Sequence, residues 1–522
     1  MKKFGFLAVA LAGTAIAGGA FGADLRFGVK QETPSIDPHF STNVIAIDTA
    51  SHVFDHLLEN DDQMRLKPNL AESWRRLDDT TWEFKLRRDV KWHDGSPFTA
   101  DDVVFTVERA SKVKASSSFV QYVADKKVTK IDDYTVQVKT DKPNPLTDVQ
   151  MASFGIVSKK HASAPDDQAA FNTGKATIGT GPYKFVEWVQ GDRIVFQKNS
   201  DYWGEKARWD RVIFKPVASD PTRVAGLLSG DFDAIDKFPT TDVGRYSKDP
   251  RVVISSGTGN RPFYLWIDSR RDFTPFIKDN AGNPIRNPLR DWRVRKALSK
   301  AINRQAIVER VFEGYANPTM QLLPDKMYGW NETLTIEPYD PEGAKKLLAE
   351  AGYPQGFQTT LHSTSGRYIN DLKVVEAVAQ MWTQIGVKTA VETMPAQVFF
   401  SRAAAPGFSD FSLAIRTYSV ATGEPSVQLK AIVHTNNWPG TVYCCSWSGY
   451  SNPRTDAIIE QAEVTMDDAA REKLWKEAIG IAVNDVGMAG IYFEQYIWGT
   501  KPGLAYQTRL DGYNLARNVV PK

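Results

Sequence analysis

The chain has 522 residues, of which 42% are hydrophobic, 24% charged and 11% aromatic, a composition typical of a folded globular protein and not of a disordered or collagen-like chain. Lysine and arginine number 64 against 62 aspartates and glutamates, so no overall basic field attracts the chain to nucleic acid or anionic lipid. At about 150 residues per domain, the length predicts roughly three domains.

The N-terminus has the pattern of an export signal. Lys2 and Lys3 precede an uncharged, mostly apolar run over residues 4–17, which small residues follow. We expect cleavage between residues 20 and 23. The apolar run is shorter than the ~20 residues that a membrane-spanning helix needs, and the signal region has no cysteine for a lipid anchor. The pattern therefore predicts a soluble protein without a lipid anchor in an extracytoplasmic space, with a Gram-negative periplasm as the natural location.

Strand and helix patterns follow each other along the mature chain and predict an α/β fold. Trp82, Phe84 and Leu86 alternate with polar residues, as in a strand with one buried face. After a turn, Thr99 and Asp102 have the spacing of a capping box, which predicts that a helix begins there.

The same alternation continues through the rest of the chain. Valines on both sides of Asp132 and Asp133 predict a hairpin, and Asp340 has the position of a helix cap. Apolar residues at helical spacing over 372–385, then Gly386, then alternating residues, predict a helix that is followed by a strand.

Motifs for enzymes and bound cofactors are missing from the sequence. We find no Gly-x-Ser-x-Gly, no His-Glu-x-x-His, no phosphate-binding loop and no Gly-x-Gly-x-x-Gly after a strand. His52 and His56 are four residues apart, which would place two imidazoles on one helical face as a metal pair requires. We favour a helix with two ordinary histidines, because no third ligand has a suitable spacing. His93 is expected to make local hydrogen bonds in its turn.

The two cysteines, Cys444 and Cys445, are adjacent in sequence, so they cannot form long-range disulfides. They can remain two thiols, form a vicinal disulfide or cross-link two chains. We favour two thiols or a vicinal disulfide over a redox-active pair, which usually has two residues between the sulfurs.

Eight segments together carry a family resemblance: LAESW (70–74), WEFKLR (82–87), VKWHDGSPFTADDV (90–103), GTGPY (179–183), NSDYWG (199–204), LSGDFD (228–233), RVRKAL (293–298) and YSNP (450–453). They resemble the signature of the family 5 extracellular solute-binding proteins, the dipeptide-, oligopeptide- and nickel-binding components of ABC importers. The resemblance extends over essentially the whole mature chain.

The resemblance implies a bilobal periplasmic-binding-protein architecture, class II-like, with an extra subdomain in the first lobe. The first lobe would run from Asp24 to about Arg270 and resume at about Asp485, with the subdomain at about residues 68–177. The second lobe would be residues 271–484. Such a protein closes around a small solute and docks on an inner-membrane ABC permease. We expect a monomer that uses no cofactor, binds no nucleic acid and performs no chemistry on the solute.

The resemblance also implies where the solute binds, namely on loops that face the opposite lobe. The candidate residues are Phe40, Arg261, Tyr264, Trp266, Arg367, Arg416, Tyr418, Ala421 and Glu424. Aromatic side chains of this set can line an apolar cleft, and arginines can bind a carboxylate. Tyr264 and Trp266 can equally belong to an ordinary strand core, because they lie on one face of the same strand.

Arg367 and Ala421 are the positions that bear most directly on the solute. Arg367 matches an arginine that meets the ligand carboxylate in peptide-binding relatives, with a surface or interlobe salt bridge as the alternative. Dipeptide binders have Asp-Asn-Gly-Asp-Pro where this chain has ATGEP at 421–425. The aspartate that binds the ligand ammonium is replaced by Ala421. Glu424 is the alternative ammonium partner, although its position argues against equivalence. This change favours a blocked peptide, a sugar-linked amino acid, an opine-like compound or another anionic solute.

Three functions remain open at this point. The first is capture of a peptide or peptide-like solute for an ABC importer. The second is capture of a chelated metal such as nickel, which the seven scattered histidines do not favour. The third is a periplasmic enzyme or chaperone with the same cleft, for which no nucleophile with its base and no metal set is visible.

Overall fold

The computed structural model describes residues 24–113, 117–162, 168–404, 409–420, 422–435 and 449–522. Its strands, in chain order, are β1 (Asp24–Val29), β2 (Leu58–Asn60), β3 (Leu66–Pro68), β4 (Ala71–Asp78), β5 (Thr81–Leu86), β6 (Lys126–Asp132), β7 (Thr135–Thr140), β8 (Tyr183–Val189), β9 (Arg193–Lys198), β10 (Arg211–Pro216), β11 (Ala234–Ile235), β12 (Val253–Ile267), β13 (Ala316–Pro318), β14 (Gln358–Thr364), β15 (Lys388–Met394), β16 (Leu413–Thr417), β17 (Ala489–Thr500), β18 (Leu504–Tyr506) and β19 (Val519–Pro521).

The α-helices are α1 (Val44–Ala50), α2 (Ala100–Ala110), α3 (Ser117–Val123), α4 (Thr147–Met151), α5 (Gln168–Asn172), α6 (Asp220–Ser229), α7 (Thr240–Tyr246), α8 (Trp292–Lys300), α9 (Arg304–Val311), α10 (Pro341–Glu350), α11 (Asp371–Gln384), α12 (Ala396–Ala403), α13 (Ser426–Gln428), α14 (Pro453–Val464) and α15 (Asp468–Asn484). A π-helical turn, Leu429–Val433, follows α13, and two 3-10 turns lie at Pro288–Arg290 and Ala516–Asn518. In the described part of the chain, no helix combines the length and the hydropathy needed to cross a bilayer.

One eleven-stranded sheet runs through both lobes, in the order β15-β14-β16-β12-β17-β11-β1-β10-β9-β8, with β13 also paired to β17. The long strands β12 and β17 are antiparallel and connect its two halves. Near one end of their pairing, β17 also pairs with β11, and at the other end β12 pairs with β16. We call the half with β1 and β8–β11 the first lobe and the half with β14–β16 the second lobe. The molecule is therefore an α/β bilobal protein whose lobes share two crossing strands.

A separate four-stranded sheet, β4-β5-β7-β6, forms the extra subdomain of the first lobe. Its buried side chains, among them Phe84, Leu86 and Val138, pack with Val103 and Val107 of α2 in a core of their own. The alternation that predicts β5 places these side chains on that inner face. The lobe and subdomain boundaries at residues 68, 177, 270 and 485 stay predictions.

The predicted helix and turn signals are confirmed in the structure. Thr99 and Asp102 form the capping box of α2, and the Asp340 carboxylate accepts the Gly343 amide at the start of α10. Gly386 has φ +94° after α11, a backbone conformation that residues with a side chain rarely adopt. The hairpin around Asp133 is formed by β6 and β7.

The pair His52 and His56 does not lie on a helical face, so the helix predicted over these two residues is wrong. The helix α1 ends at Ala50, and His52 follows it in a turn. The Nδ1 atom of His52 bonds the Asp48 carbonyl at 2.9 Å, while its Nε2 accepts the Ala516 amide at 3.1 Å. His56 bonds the Ala152 carbonyl through Nδ1 at 2.7 Å. Both imidazoles therefore serve local packing.

Candidate functional site

A cavity lies beside the strands that cross between the lobes. The first lobe contributes residues near α1, residues after β11 and the segment around Asn514, and the second lobe contributes residues 367–369. The crossing strands contribute Arg261 from β12 and residues 496–498 from β17. Among the predicted binding residues that the structure describes, Arg261 and Arg367 line this cavity.

Arg261 is fixed in place by both crossing strands and by the second lobe. Its Nε donates to Ser419 Oγ at 3.1 Å, and its Nη1 lies 3.5 Å from Glu494 Oε2 on β17. The guanidinium also lies over the Tyr368 ring, 5.5 Å from the centroid. Burial opposes its charge, but Tyr496 and Glu494 together hold the pKa of Arg261 above its usual value.

Arg367 lies on the loop between β14 and α11, which the Asp371 carboxylate organises. That carboxylate accepts the amides of Gly366 at 3.1 Å, Arg367 at 3.1 Å and Tyr368 at 3.3 Å. The Arg367 guanidinium donates to Tyr368 Oη at 2.9 Å and lies 5.1 Å from the Phe400 ring centroid. It forms no ion pair within the described ranges. The loop therefore positions the Arg367 guanidinium at the cavity without an ion-pair partner among the described residues.

Lys237 is a cation of this cavity that the sequence analysis missed. It follows β11 directly, with φ +45°, and its ammonium makes no ion pair or hydrogen bond with the residues that the structure describes. Burial lowers the pKa of Lys237, and the nearby Asp236 and Glu494 oppose that change. Lys237 lies at the carboxyl end of β11, which pairs in parallel with β1. Because that pairing joins segments distant in sequence, no local sequence signal indicates this residue.

Two buried carboxylates, Asp48 and Asp236, complete the charged lining. Asn514 connects them, since its backbone amide donates to Asp48 Oδ2 at 3.1 Å and its Nδ2 to Asp236 Oδ2 at 3.2 Å. Asp236 also accepts the Lys30 amide at 2.8 Å and lies 3.8 Å from Arg223 Nε. Burial raises the pKa of Asp48 well above its usual value, and the negative charge of Asp236 adds to the effect.

Tyr264 and Trp266 lie in the core of the second lobe, 1% and 3% exposed, among residues of the cluster around Trp475. Phe263 and Leu265 alternate with them toward a second cluster on the opposite face of β12. This strand is buried on both faces, so the structure places neither ring among the residues that line the cavity. A binding role for them stays a prediction that this placement does not favour.

Phe40 belongs to a loop that a buried ion pair holds in place. Arg109 of α2 binds Asp37 through two hydrogen bonds, 2.9 and 2.7 Å, and its Nη1 lies 2.7 Å from Nδ1 of His39. His39 Nε2 contacts the Gly155 carbonyl at 2.9 Å. Burial and the nearby Arg109 lower the pKa of His39 to about 4. Phe40 itself is half-buried and outside the residues that line the cavity.

The segment after β16 contains the remaining predicted residues. Arg416 is buried, with its guanidinium 6.0 Å from the Phe400 ring centroid, and the Tyr418 carbonyl accepts Gln428 Nε2 at 2.6 Å. The buried Glu424 carboxylate accepts the Ser426 amide and Thr422 Oγ1, each at 2.8 Å, so it is used within its own turn. Ala421 lies outside the described residues, as do Cys444 and Cys445.

The predicted structural role of His93 is confirmed. Its Nε2 contacts the Gly181 carbonyl at 3.0 Å, and its Nδ1 accepts the Gly179 amide at 3.2 Å. Both ring nitrogens are therefore engaged by one backbone segment. Elsewhere, no group of three histidine, cysteine, aspartate or glutamate side chains is placed to hold a metal ion in the ranges that the structure covers.

Comparisons with known proteins agree on one family. Residues 65–440 match the family model described as bacterial extracellular solute-binding proteins, family 5. The chain is 29% identical over 491 residues to the glutathione-binding protein GsiB of Escherichia coli K12, covering 92% of this chain and 90% of the relative.

Solved structures share the fold along nearly the whole chain. The periplasmic binding protein DppA of Helicobacter pylori, in complex with the peptide STSA, is 22% identical with a TM-score of 0.79 and covers 96% of this chain and 98% of its own. NikZ of Campylobacter jejuni, in complex with Ni(L-His), is 22% identical with a TM-score of 0.80 over 95% of this chain and 99% of its own. These similarities establish the bilobal fold.

Proposed function

Because the chain belongs to the bacterial extracellular solute-binding proteins, family 5, we propose that it captures an anionic peptide or peptide-like solute between its lobes and delivers it to an ABC permease. The observation that carries this proposal is the charged cavity beside the crossing strands. Lys237 and Arg367 reach it from opposite lobes. A solute that binds both cations joins the lobes and favours the closed state.

The relatives support a peptide-like solute without identifying it. A relative with 29% identity is a glutathione-binding protein, and glutathione is an anionic peptide whose first linkage is not an ordinary peptide bond. Glutathione has a free α-ammonium, so the substitution of Ala421 for the aspartate that holds the ammonium in dipeptide binders does not by itself favour it over other anionic solutes. We further propose export by the N-terminal signal, a periplasmic location without a lipid anchor and a monomeric state.

Chelated nickel is the second candidate solute, because NikZ shares the fold and has Ni(L-His) bound. A nickel complex can bind through the carboxylates of its chelator, so the cations of this cavity do not by themselves favour peptides. The sequence similarity to glutathione-binding relatives over 92% of the chain is the observation that favours the peptide. We favour binding over an enzymatic role on the same fold because the family is one of solute-binding proteins.

The test is to identify what the protein carries when it is purified from the periplasm of an expressing cell. Native mass spectrometry would detect a bound mass, which is then released and fragmented. An anionic peptide or peptide-like solute supports the proposal, whereas a nickel complex supports the second candidate. Thermal shifts with glutathione, acidic dipeptides, opines and Ni(L-His) give an independent measure, because a ligand that binds only the folded state raises Tm. Failure of every solute to bind would contradict solute capture.

A further inference from the structure

Five charged side chains line the cavity, and only some of them are neutralised within the protein. The guanidinium of Arg261 lies 3.5 Å from Glu494, and the carboxylate of Asp236 lies 3.8 Å from Nε of the buried Arg223. These two charges therefore have partners of opposite sign. The other three lining groups are two basic side chains and one carboxyl group.

The remaining three are Lys237, Arg367 and Asp48. Within the described residues, neither cation has a carboxylate within 4 Å, and Asp48 has no cation within that distance. Asp48 accepts hydrogen bonds from the Asn514 amide and from Thr49 Oγ1, which are neutral donors. The cavity thus offers two basic groups without carboxylate partners and one buried carboxyl, Asp48, whose raised pKa favours the protonated form until a cation binds beside it.

The three groups are distributed over both walls of the cavity. Asp48 belongs to α1 and Lys237 follows β11, both in the first lobe, whereas Arg367 precedes α11 in the second lobe. A charge that is removed from water needs a partner of opposite sign, because an unpaired buried charge is costly. The solute that pairs with all three groups on closure has two acidic groups for the two cations and one ammonium, beside which the Asp48 carboxyl ionises.

We propose that the solute is a monoanion with two carboxylates and one ammonium, whose carboxylates bind Lys237 and Arg367 and whose ammonium binds Asp48. This inference rests on the proposed function, which it narrows to a charge class. A neutral zwitterionic dipeptide leaves one of the two cations unpaired. A γ-glutamyl peptide such as glutathione and an acidic dipeptide such as alanyl-aspartate both have the required set.

The position of Asp48 also accounts for the missing aspartate at position 421. With alanine there, the second-lobe segment at 421–425 offers no carboxylate to a ligand ammonium, since Glu424 is bonded to Ser426 and Thr422. Asp48 supplies a buried carboxylate from the first lobe instead. In this assignment the ammonium partner lies in the first lobe, and a solute with an ordinary free amine remains acceptable.

The experiment measures affinities by calorimetry with the full mature chain and four probes. Glutathione and alanyl-aspartate have the complete charge set. N-acetylglutathione lacks the ammonium, and glutathione glycyl ethyl ester lacks one carboxylate. The variants are Asp48→Asn, Lys237→Gln and Arg367→Gln. Matched controls are Asp231→Asn, Lys248→Gln and Arg245→Gln, whose side chains are exposed and outside the cavity.

We expect wild type to bind at least one complete probe about tenfold or more tightly than either blocked derivative of glutathione. Preference for glutathione would indicate a γ-glutamyl peptide, and preference for alanyl-aspartate an acidic dipeptide. Asp48→Asn should lower the affinity for the complete probe about tenfold but leave the affinity for N-acetylglutathione unchanged. Lys237→Gln and Arg367→Gln should each lower the affinity for glutathione about tenfold. One of the two variants should leave the affinity for the ester unchanged, because the ester lacks the carboxylate that this cation binds. The three control variants should bind like wild type.

Two results separate this inference from solute capture itself. If the solute identified by mass spectrometry has another charge set and binds wild type while all complete probes fail, the charge assignment is wrong and capture stands. Equal binding of complete and blocked probes, or variants with intact thermal unfolding and unchanged affinities, also overturns the assignment. A protein that binds no solute at all contradicts both proposals.

Discussion

Asn260 and Val420 exchange two hydrogen bonds at the point where the lobes meet. The Val420 amide donates to the Asn260 carbonyl at 3.1 Å, and Asn260 Nδ2 donates to the Val420 carbonyl at 2.7 Å. Asn260 lies in the register irregularity of β12 between Thr258 and Pro262, and its own amide donates to Leu510 at 2.8 Å. One side chain thus connects a crossing strand to the segment that precedes position 421.

We predict that Asn260→Ala weakens solute binding more than it weakens the fold. The substitution removes the side-chain bond to Val420, a loss of about 1 kcal/mol, and frees a segment that also holds Arg261 through Ser419. Calorimetry should show a several-fold higher Kd with the solute that the native protein carries. Asn317→Ala is the control, because it removes two side-chain bonds elsewhere, from Nδ2 to Thr258 Oγ1 at 2.6 Å and from Gln495 Nε2 to Oδ1 at 3.0 Å. An unchanged Kd for Asn260→Ala would show that Val420 does not need this bond.

Breaking the ion pair between Arg109 and Asp37 should destabilise the first lobe strongly. Their side chains are 0% and 1% exposed, and removal of one partner leaves an unpaired buried charge, at a cost of about 3–5 kcal/mol. We expect Arg109→Met to lower the free energy of unfolding in urea by that amount. Arg75→Met breaks an ion pair with Glu83 in which the arginine is 70% exposed, and it should cost less than about 1 kcal/mol. Equal losses in the two variants would contradict this ranking.

The buried His52 should make stability fall in mild acid. Burial lowers the pKa of His52 to about 4, whereas in the unfolded chain it is about 6.5. The unfolded state therefore binds the proton more readily than the folded state. The contribution of His52 to the free energy of unfolding is complete above pH 6.5 and is lost as the pH falls toward 4, by up to about 1.4 kcal/mol per pH unit. Its Nε2 must stay unprotonated to accept the Ala516 amide, which is the physical reason.

The measurement compares urea unfolding of wild type and His52→Gln at pH 7, 6 and 5. The difference between the two proteins isolates one histidine, which matters because burial raises the pKa of Asp55 to about 6 and so acts in the opposite direction. The variant is expected to be less stable at pH 7, with a smaller loss on going to pH 5. Parallel curves would mean that His52 does not titrate in this range.

Local sequence signals predict the elements of this fold better than they predict its site. Asp340 and Gly386 mark a helix start and a helix end because the cap and the left-handed turn depend on neighbouring residues alone. Lys237 and Asp48 have no such signal. They reach one cavity only because β11 pairs with β1 and Asn514 returns from the C-terminal segment, contacts that are distant in sequence.

Tyr264 and Trp266 are predicted binding residues for the same reason, namely that local sequence signals do not show which distant segments pack against a strand. Alternation indicates that they share a face of β12, but it cannot tell whether that face meets a solute or a core. The helices α14 and α15, about 200 residues later in the chain, cover it. The family resemblance supplies the lobes, and Arg261 and Arg367 are the predicted residues that the structure brings together.

Gly179 shows why the GTGPY segment matters for folding. A Cβ atom at Gly179 would lie 1.8 Å from the Val53 carbonyl oxygen, closer than any packing permits, and the Gly179 carbonyl also accepts the His93 amide at 2.8 Å. We expect Gly179→Ala to cost several kcal/mol or to prevent folding, because backbone and not a flexible side chain must move. Gly244→Ala is the control, since nothing lies within 4 Å of its added methyl group in helix α7. That change should stabilise the protein by about 0.5–1 kcal/mol, and thermal unfolding of both variants would reveal whether the first lobe tolerates any displacement of Val53.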